Sequence, residues 1–287
     1  RGLAGLTDMS PRNDPSMAQH FAAQTEAGAL VQHVTLAGTL DLAGAEPRGW
    51  NLGPAKLHLH ENALPEFDHC LGFIRAAHQQ GRGVAVHCVT EVELVFTLAL
   101  FEAAGTVAGD RIEHLSIADP HHIARIAALG LPVCVQPHFI AERGEQYLHD
   151  VPPADRPHLY RLRSLAEAGL RLLGGSDTPF GSADPWAAMA AAVARQPDGG
   201  PIMGADEGLT PERALALYLA DPAAPWDERN LTVGDAADLC LLDRPWSDTR
   251  CNLASTGVRL TLIGGEVVHD RVDQAPVKRL PGIDPPA

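Results

Sequence analysis

Four side chains, each at the end of a short apolar run, carry the chemistry this sequence can perform. Leu172-Leu173-Gly174-Gly175-Ser176-Asp177-Thr178-Pro179 reads as a strand entering a Gly-Ser turn, with one carboxylate at its C-terminal end and a proline stopping the element. Val84-Ala85-Val86-His87 and Arg111-Ile112-Glu113-His114 end in the same manner, each on a histidine, and Pro54-Ala55-Lys56-Leu57 carries a lysine. Imidazole nitrogen and carboxylate oxygen are the donors Zn²⁺ and similar divalent ions take from proteins. A lysine ammonium joins such a set only if CO₂ has carboxylated its amine to a carbamate, which can bridge two metals. Asp177 would both bind metal and take the proton of a metal-bound water, whose pKa falls from about 16 to about 7. Attack on a polarised carbonyl or amidine carbon would follow.

Such residues need strand ends gathered at one rim. Apolar runs ending near Asp8, Leu36, His60, Cys88, Leu115, Gln136 and Gly175 read as seven strands. Helical spacing falls between them, over residues 15–27, 65–80, 91–104, 120–129, 159–168 and 185–194. Strands alternating with helices of this length make a parallel sheet of βα units. Lys56 to His87 is 31 residues, His87 to His114 is 27, and His114 to Asp177 is 63, about two units. The repeat suits a (β/α)₈ TIM-like barrel with its functional groups on successive strand ends. Closure needs eight strands. The missing one is expected before Arg1, with the seven present corresponding to strands 2–8. Residues 137–157 read as a long polar loop beside the site. Beyond a helix over 210–219, residues 237–243, 258–263 and 266–269 form strands, the last two a hairpin around Gly264-Gly265. The expected division is a barrel over 1–225 and part of a small β-domain over 226–287.

The whole-chain balance narrows the partners. With 36 acidic against 22 basic residues among 287, the formal charge is −14, which speaks against nucleic-acid and anionic-membrane binding. The five cysteines include no CxxC pair and resemble no disulfide framework, so a reducing cytoplasm is expected. No apolar run reaches the roughly 18–20 residues of a membrane span, and no signal peptide is read at the start. The chain opens on Arg1 directly before an apolar stretch, and is expected to begin after the start of its gene. A small-molecule substrate is the expected partner, with self-association through unpaired sheet edges left open.

Five motifs together resemble the amidohydrolase superfamily, and within it the amidohydrolase-3 or YtcJ-like metal-dependent hydrolases. They are residues 84–90 (VAVHCVT), 110–115 (DRIEHL), 133–137 (VCVQP), 174–179 (GGSDTP), and the tail formed by 234–243 (GDAADLCLLD) with 260–268 (LTLIGGEVV). The resemblance spans nearly the whole chain. It implies His87 and His114 as ligands on the barrel's fifth and sixth strands, Asp177 as ligand and general base on the eighth, and Lys56 as the carboxylated lysine of the fourth. The tail would be the C-terminal half of a composite β-sandwich. One or two divalent ions are implied, Zn²⁺ first, with Mn²⁺, Fe²⁺ or Co²⁺ open to the same ligands. The implied activity is hydrolysis of a non-peptide carbon–nitrogen bond: amide, formamide, cyclic amide or deamination. Ester, lactone or phosphoester hydrolysis on the same site, or an inactive truncated relative, are the alternatives.

The family also places His-x-His on its first barrel strand, which this chain lacks. His58-Leu59-His60 lies only 27 residues before His87 and belongs to the Lys56 strand. Its histidines read as pocket lining with an auxiliary-ligand role, and Gln136 and His138 as further substrate contacts. Three blander readings sit beside these. Asp177 could instead cap the next helix, His121-His122 would be solvated, and Cys88 and Cys134 would fill the core.

Overall fold

The computed structural model describes residues 1–221, 224–229 and 231–271. A seven-stranded parallel sheet organises them. Its strands are β1 (Gly5–Asp8), β2 (His33–Gly38), β3 (Asn51–Leu57), β4 (Val84–Cys88), β5 (Arg111–His114), β6 (Val133–Val135) and β7 (Leu172–Gly174), hydrogen-bonded in sequence order. Helices α1 (Pro15–Glu26), α2 (Phe67–Gln79), α3 (Glu91–Ala104) and α4 (Pro120–Leu129) follow β1, β3, β4 and β5, while only a 3₁₀ turn, Leu40–Gly44, separates β2 from β3. Helices α5 (His138–Asp150) and α6 (Leu162–Glu167) lie between β6 and β7; α7 (Pro185–Ala194) and α8 (Pro211–Ala216) follow β7. The expected strand count and order hold, in a curled sheet of the α/β barrel type. Among the described residues β1 and β7 are its edges, and Gly174 of β7 donates its N–H to Leu217 O at 2.8 Å.

Register decides what each strand shows to either face, because parallel neighbours in one row point the same way. Leu57, Val86, Ile112, Val133 and Leu172 fall in one row and pack against the helices in the main core. The rows on either side of it must face inward. They carry Lys56, Ala85 and Arg111 below, and His87, Glu113, Cys134 and Leu173 above. The chemistry-bearing residues are thus separated from the apolar ones by strand parity.

Three segments differ from the sequence reading. β3 begins at Asn51, earlier than Gly53-Pro54 suggests, and ends at Leu57, leaving His58 and His60 beyond the strand. Gly53 is needed there because a Cβ would stand 2.8 Å from Thr35 Cγ2 and 2.9 Å from Leu36 O of β2. The expected polar loop over 137–157 instead contains α5, thirteen residues long. Phe139, Ile140, Tyr147 and Leu148 make its apolar face, packing with Leu159, Tyr160 and Met203 in a separate small cluster. That face was obscured in the sequence by intervening charges and by Gly144, which the packing requires because a Cβ would collide with Pro197. Finally, His122 is buried rather than solvated.

In the tail, β8 (Ala220–Asp221) pairs with β9 (Ala224–Glu228), an element the sequence did not reveal. β10 (Leu239–Leu242), a short helix α9 (Trp246–Thr249), β11 (Val258–Ile263) and β12 (Glu266–Asp270) follow, the three strands forming an antiparallel sheet with the expected hairpin. No helix among the described residues is long and apolar enough to cross a membrane.

Candidate active site

The C-terminal ends of the strands open into a cavity of about 1240 Å³. Lys56, His58, His60, His87, His114, Gln136 and Asp177 all line it, while His138 does not. The imidazoles approach one another in a row. The ring centroids of His58 and His87 lie 4.4 Å apart, those of His87 and His114 4.5 Å, and those of His58 and His60 4.5 Å.

Each member arrives by a different local device. His87 occupies the inward row directly. His58 and His60 continue the Lys56 parity past the end of β3, and their loop is tied to the next one by Glu93. That buried carboxylate accepts the N–H of Glu61 at 2.9 Å and of Val89 at 2.7 Å, while closing a capping box with Thr90 at the start of α3. His114 stands in the row of Cys88, which lies in the helix-facing core, so a regular strand would aim it outward. Instead His114 has φ 73° and Leu115 φ 48°. These left-handed residues break the pleat and turn the imidazole into the cavity. There its Nδ1–H donates to Gln136 Oε1 at 2.9 Å, leaving Nε2 with its lone pair free.

Asp177 sits on the exposed turn after β7 with φ 52°, and its carbonyl accepts N–H groups from Phe180 and Gly181. It caps no helix, because Asp184 caps α7. His138 lies behind this turn, buried, its Nε2–H donating to Ser176 O at 3.0 Å. It therefore braces the Asp177 turn from outside the cavity.

Burial and like-charged neighbours keep the imidazoles of His58, His87 and His114 neutral. Burial first, then His114, His58 and Lys56, pushes His87 down to about 2. His58 is lowered by burial and by His60, and His114 by burial, against the opposing pull of Glu113 and Asp177. Deeper in the cavity, burial also lowers the Lys56 ammonium, with Glu113 opposing. Glu113 itself accepts Arg111 Nε at 2.6 Å, and burial raises while Arg111 lowers its carboxyl, the balance falling on the low side. This Arg111–Glu113 pair on the cavity floor escaped the sequence reading, though the alternation in Arg111-Ile112-Glu113 placed both on the side opposite an apolar residue.

The imidazoles and Asp177 surround the cavity without converging on one point. Among the described residues, three donor atoms of His, Cys, Asp or Glu come within 4.8 Å of one another only at Asp119, His121 and His122, outside the cavity.

Residues 10–269 match the sequence pattern of the amidohydrolase family. The chain belongs to that family. Among curated amidohydrolase relatives, it is 29% identical over 207 residues to the N-substituted formamide deformylase of Arthrobacter pascens, a match covering 68% of this chain and 38% of that one. It is 26% identical over 215 residues to YtcJ of Bacillus subtilis, named for the same family, covering 71% of this chain and 41% of that one. The chain thus spans about two fifths of the length of these relatives. Among solved structures, an uncharacterized metal-dependent hydrolase of Pyrococcus horikoshii superposes with a TM-score of 0.64 at 22% identity, over 74% of this chain and 49% of that one. A zinc- and atraton-bound mutant of the atrazine chlorohydrolase TrzN from Arthrobacter aurescens superposes with a TM-score of 0.63 at 15% identity, over 96% and 71%. At these identities the likeness establishes a shared fold.

Proposed function

We propose that the cavity is the active site of a metal-dependent hydrolase that cleaves non-peptide carbon–nitrogen bonds, formamides and related amides foremost. The chain of neutral imidazoles from His58 through His87 to His114, beside Asp177, is the observation that carries this reading. The donor chemistry fits a divalent cation: His87 is held unprotonated by burial, and Gln136 fixes the tautomer of His114 so that Nε2 keeps the lone pair a ligand needs. His87, His114 and Asp177 would hold the ion, with His58 and His60 as auxiliary donors and Lys56 as a carbamate bridge. Zn²⁺ suits this set best. A cation bound there would polarise the scissile carbonyl and acidify water.

The chain's own groups supply the rest. Asp177, on an exposed turn braced by His138, takes the proton from attacking water and returns it to the leaving nitrogen. Burial of Lys56 favours its neutral amine, the form that adds CO₂. Gln136 orients His114 and, on the lining, offers an amide to the substrate. The formamide deformylase relative supports the choice of bond. Residues 1–225 would form the barrel part and 226–287 half of a β-sandwich, a division in which 222, 223, 230 and 272–287 lie outside the described residues. The buried thiols of Cys70, Cys88 and Cys134, free of disulfides, suit a reducing cytoplasm, and the sheet edges β1 and β7 are where self-association would occur.

The test is turnover of a panel of N-substituted formamides, cyclic amides, esters and lactones by Zn²⁺-loaded protein, with Asp177→Ala alongside. Amide turnover should fall at least about 100-fold in the variant, in line with the loss of a general base. Undiminished turnover in Asp177→Ala would sink the assignment, and turnover of esters alone would move it to another bond.

A further inference from the structure

A second cluster stands outside the cavity, where α3 and α4 begin. Asp119 caps α4, its Oδ1 accepting the N–H of His122 at 2.7 Å, and the donor atoms of Asp119, His121 and His122 lie within 4.8 Å of one another. Glu91, in the first turn of α3, brings Oε1 to 3.7 Å from His122 Nδ1. None of the four lines the large cavity. Acidic residues in a helix's first turn are favourable on their own account. That accounts for Asp119 and Glu91, and it leaves the two histidines unexplained.

His122 supplies the independent observation. Its side chain is 8% exposed, and Nδ1 lies 3.0 Å from Asp119 Oδ1 without a hydrogen bond forming between them, so the buried nitrogen has no hydrogen-bond partner. Buried polar atoms in folded proteins are almost always satisfied. A nitrogen lone pair and a carboxylate oxygen 3.0 Å apart can both be satisfied by one cation bound to the two. Two imidazoles and two carboxylates give a neutral tetrahedral shell around a divalent ion, with bonds of about 2.0–2.2 Å. Small side-chain rotations bring donors this close onto one centre.

We propose that Glu91, Asp119, His121 and His122 form a separate binding site for a first-row divalent cation, Zn²⁺ foremost. Its ion joins the N-termini of α3 and α4, which follow the strands bearing His87 and His114, and so fastens the two loops on that side of the rim.

The test is independent of the cavity's assignment. Zn²⁺ content is measured by plasma mass spectrometry on a His87→Ala His114→Ala variant, after equilibration with Zn²⁺ and gel filtration, with and without the further change His121→Ala. One equivalent should remain in the first and vanish from the second, with affinity weakened at least about 100-fold, beyond the 10–100-fold typical of an outer-shell partner. Zn²⁺ content unchanged by His121→Ala, or no Zn²⁺ in the first variant, overturns the site. If that variant fails to fold, the exposed position of His121 allows the comparison in the otherwise unaltered protein. Co²⁺ titration followed by visible absorption should then lose one equivalent in His121→Ala, and equal stoichiometry overturns the proposal.

Discussion

Glu93→Ala tests how the two histidine-bearing loops are held together. The Glu93 carboxylate is 4% exposed and accepts three backbone N–H groups, from Glu61 at 2.9 Å, Val89 at 2.7 Å and Thr90 at 3.2 Å. Hydrogen bonds to a charged group contribute about 1.5–3 kcal/mol each. Those to Val89 and Thr90 lie at a helix start where water can replace part of the loss, so a total near 3 kcal/mol is expected. For a domain of this size each kcal/mol shifts Tm by about 2–4 °C, giving a fall of about 6–12 °C. Because Glu93 bridges the loop of His60 to the one that follows His87, metal affinity at the cavity should fall about 10–100-fold as well. Glu93→Gln keeps one acceptor and should lie between. Differential scanning calorimetry with Zn²⁺ titration reads both effects. In metal-free protein, a fall in Tm no larger than that of Glu91→Ala, whose side chain on the same helical turn is 56% exposed, would contradict this assignment.

Further outcomes follow from burial. In metal-free protein His87 has its pKa lowered from 6.5 to about 2, so on acidification the unfolded chain binds this proton first. Stability should decline as pH falls from about 6.5 toward 2, and His87→Asn should flatten that decline in urea titrations; an unchanged profile would contradict the assignment. Lys56, also lowered, destabilises the folded state while the unfolded lysine is protonated, and this penalty fades as pH rises toward 10.5. Without metal or bicarbonate, Lys56→Met should therefore raise Tm at pH 7, with the gap narrowing at high pH; a lowered Tm would count against it. Gly144→Ala forces a methyl against Pro197. Overpacking costs about 1–3 kcal/mol and the helix propensity of alanine returns up to about 1. A net loss of about 1–2 kcal/mol in chemical denaturation is expected, and a stabilised variant would show that α5 packs more loosely.

The sequence made the sheet legible because its strands are short apolar runs between helices of regular spacing, and parity followed from alternation within each. Thus Lys56, His58, His60, His87 and Gln136 reach the cavity as their positions imply. His114 reaches it through a backbone conformation that no pattern encodes, since regular alternation would have turned it outward. His138 shows the converse: its place after a strand suggested a substrate contact, while packing put it behind the Asp177 turn. Helix α5 was hidden because its stabilisation comes from tertiary contacts with Leu159, Tyr160 and Met203. The Arg111–Glu113 pair drew no attention because buried charges become readable only once the register of neighbouring strands places them inside.

The most direct measurement is metal content per chain, after loading with Zn²⁺ and bicarbonate, of the unaltered protein against a His87→Ala His114→Ala Asp177→Ala variant. The variant should hold at least one equivalent less, while retaining its folded circular-dichroism spectrum. Equal metal in two folded proteins would mean that the imidazoles and carboxylate of the cavity hold no ion, and the proposed hydrolase site would fall with them.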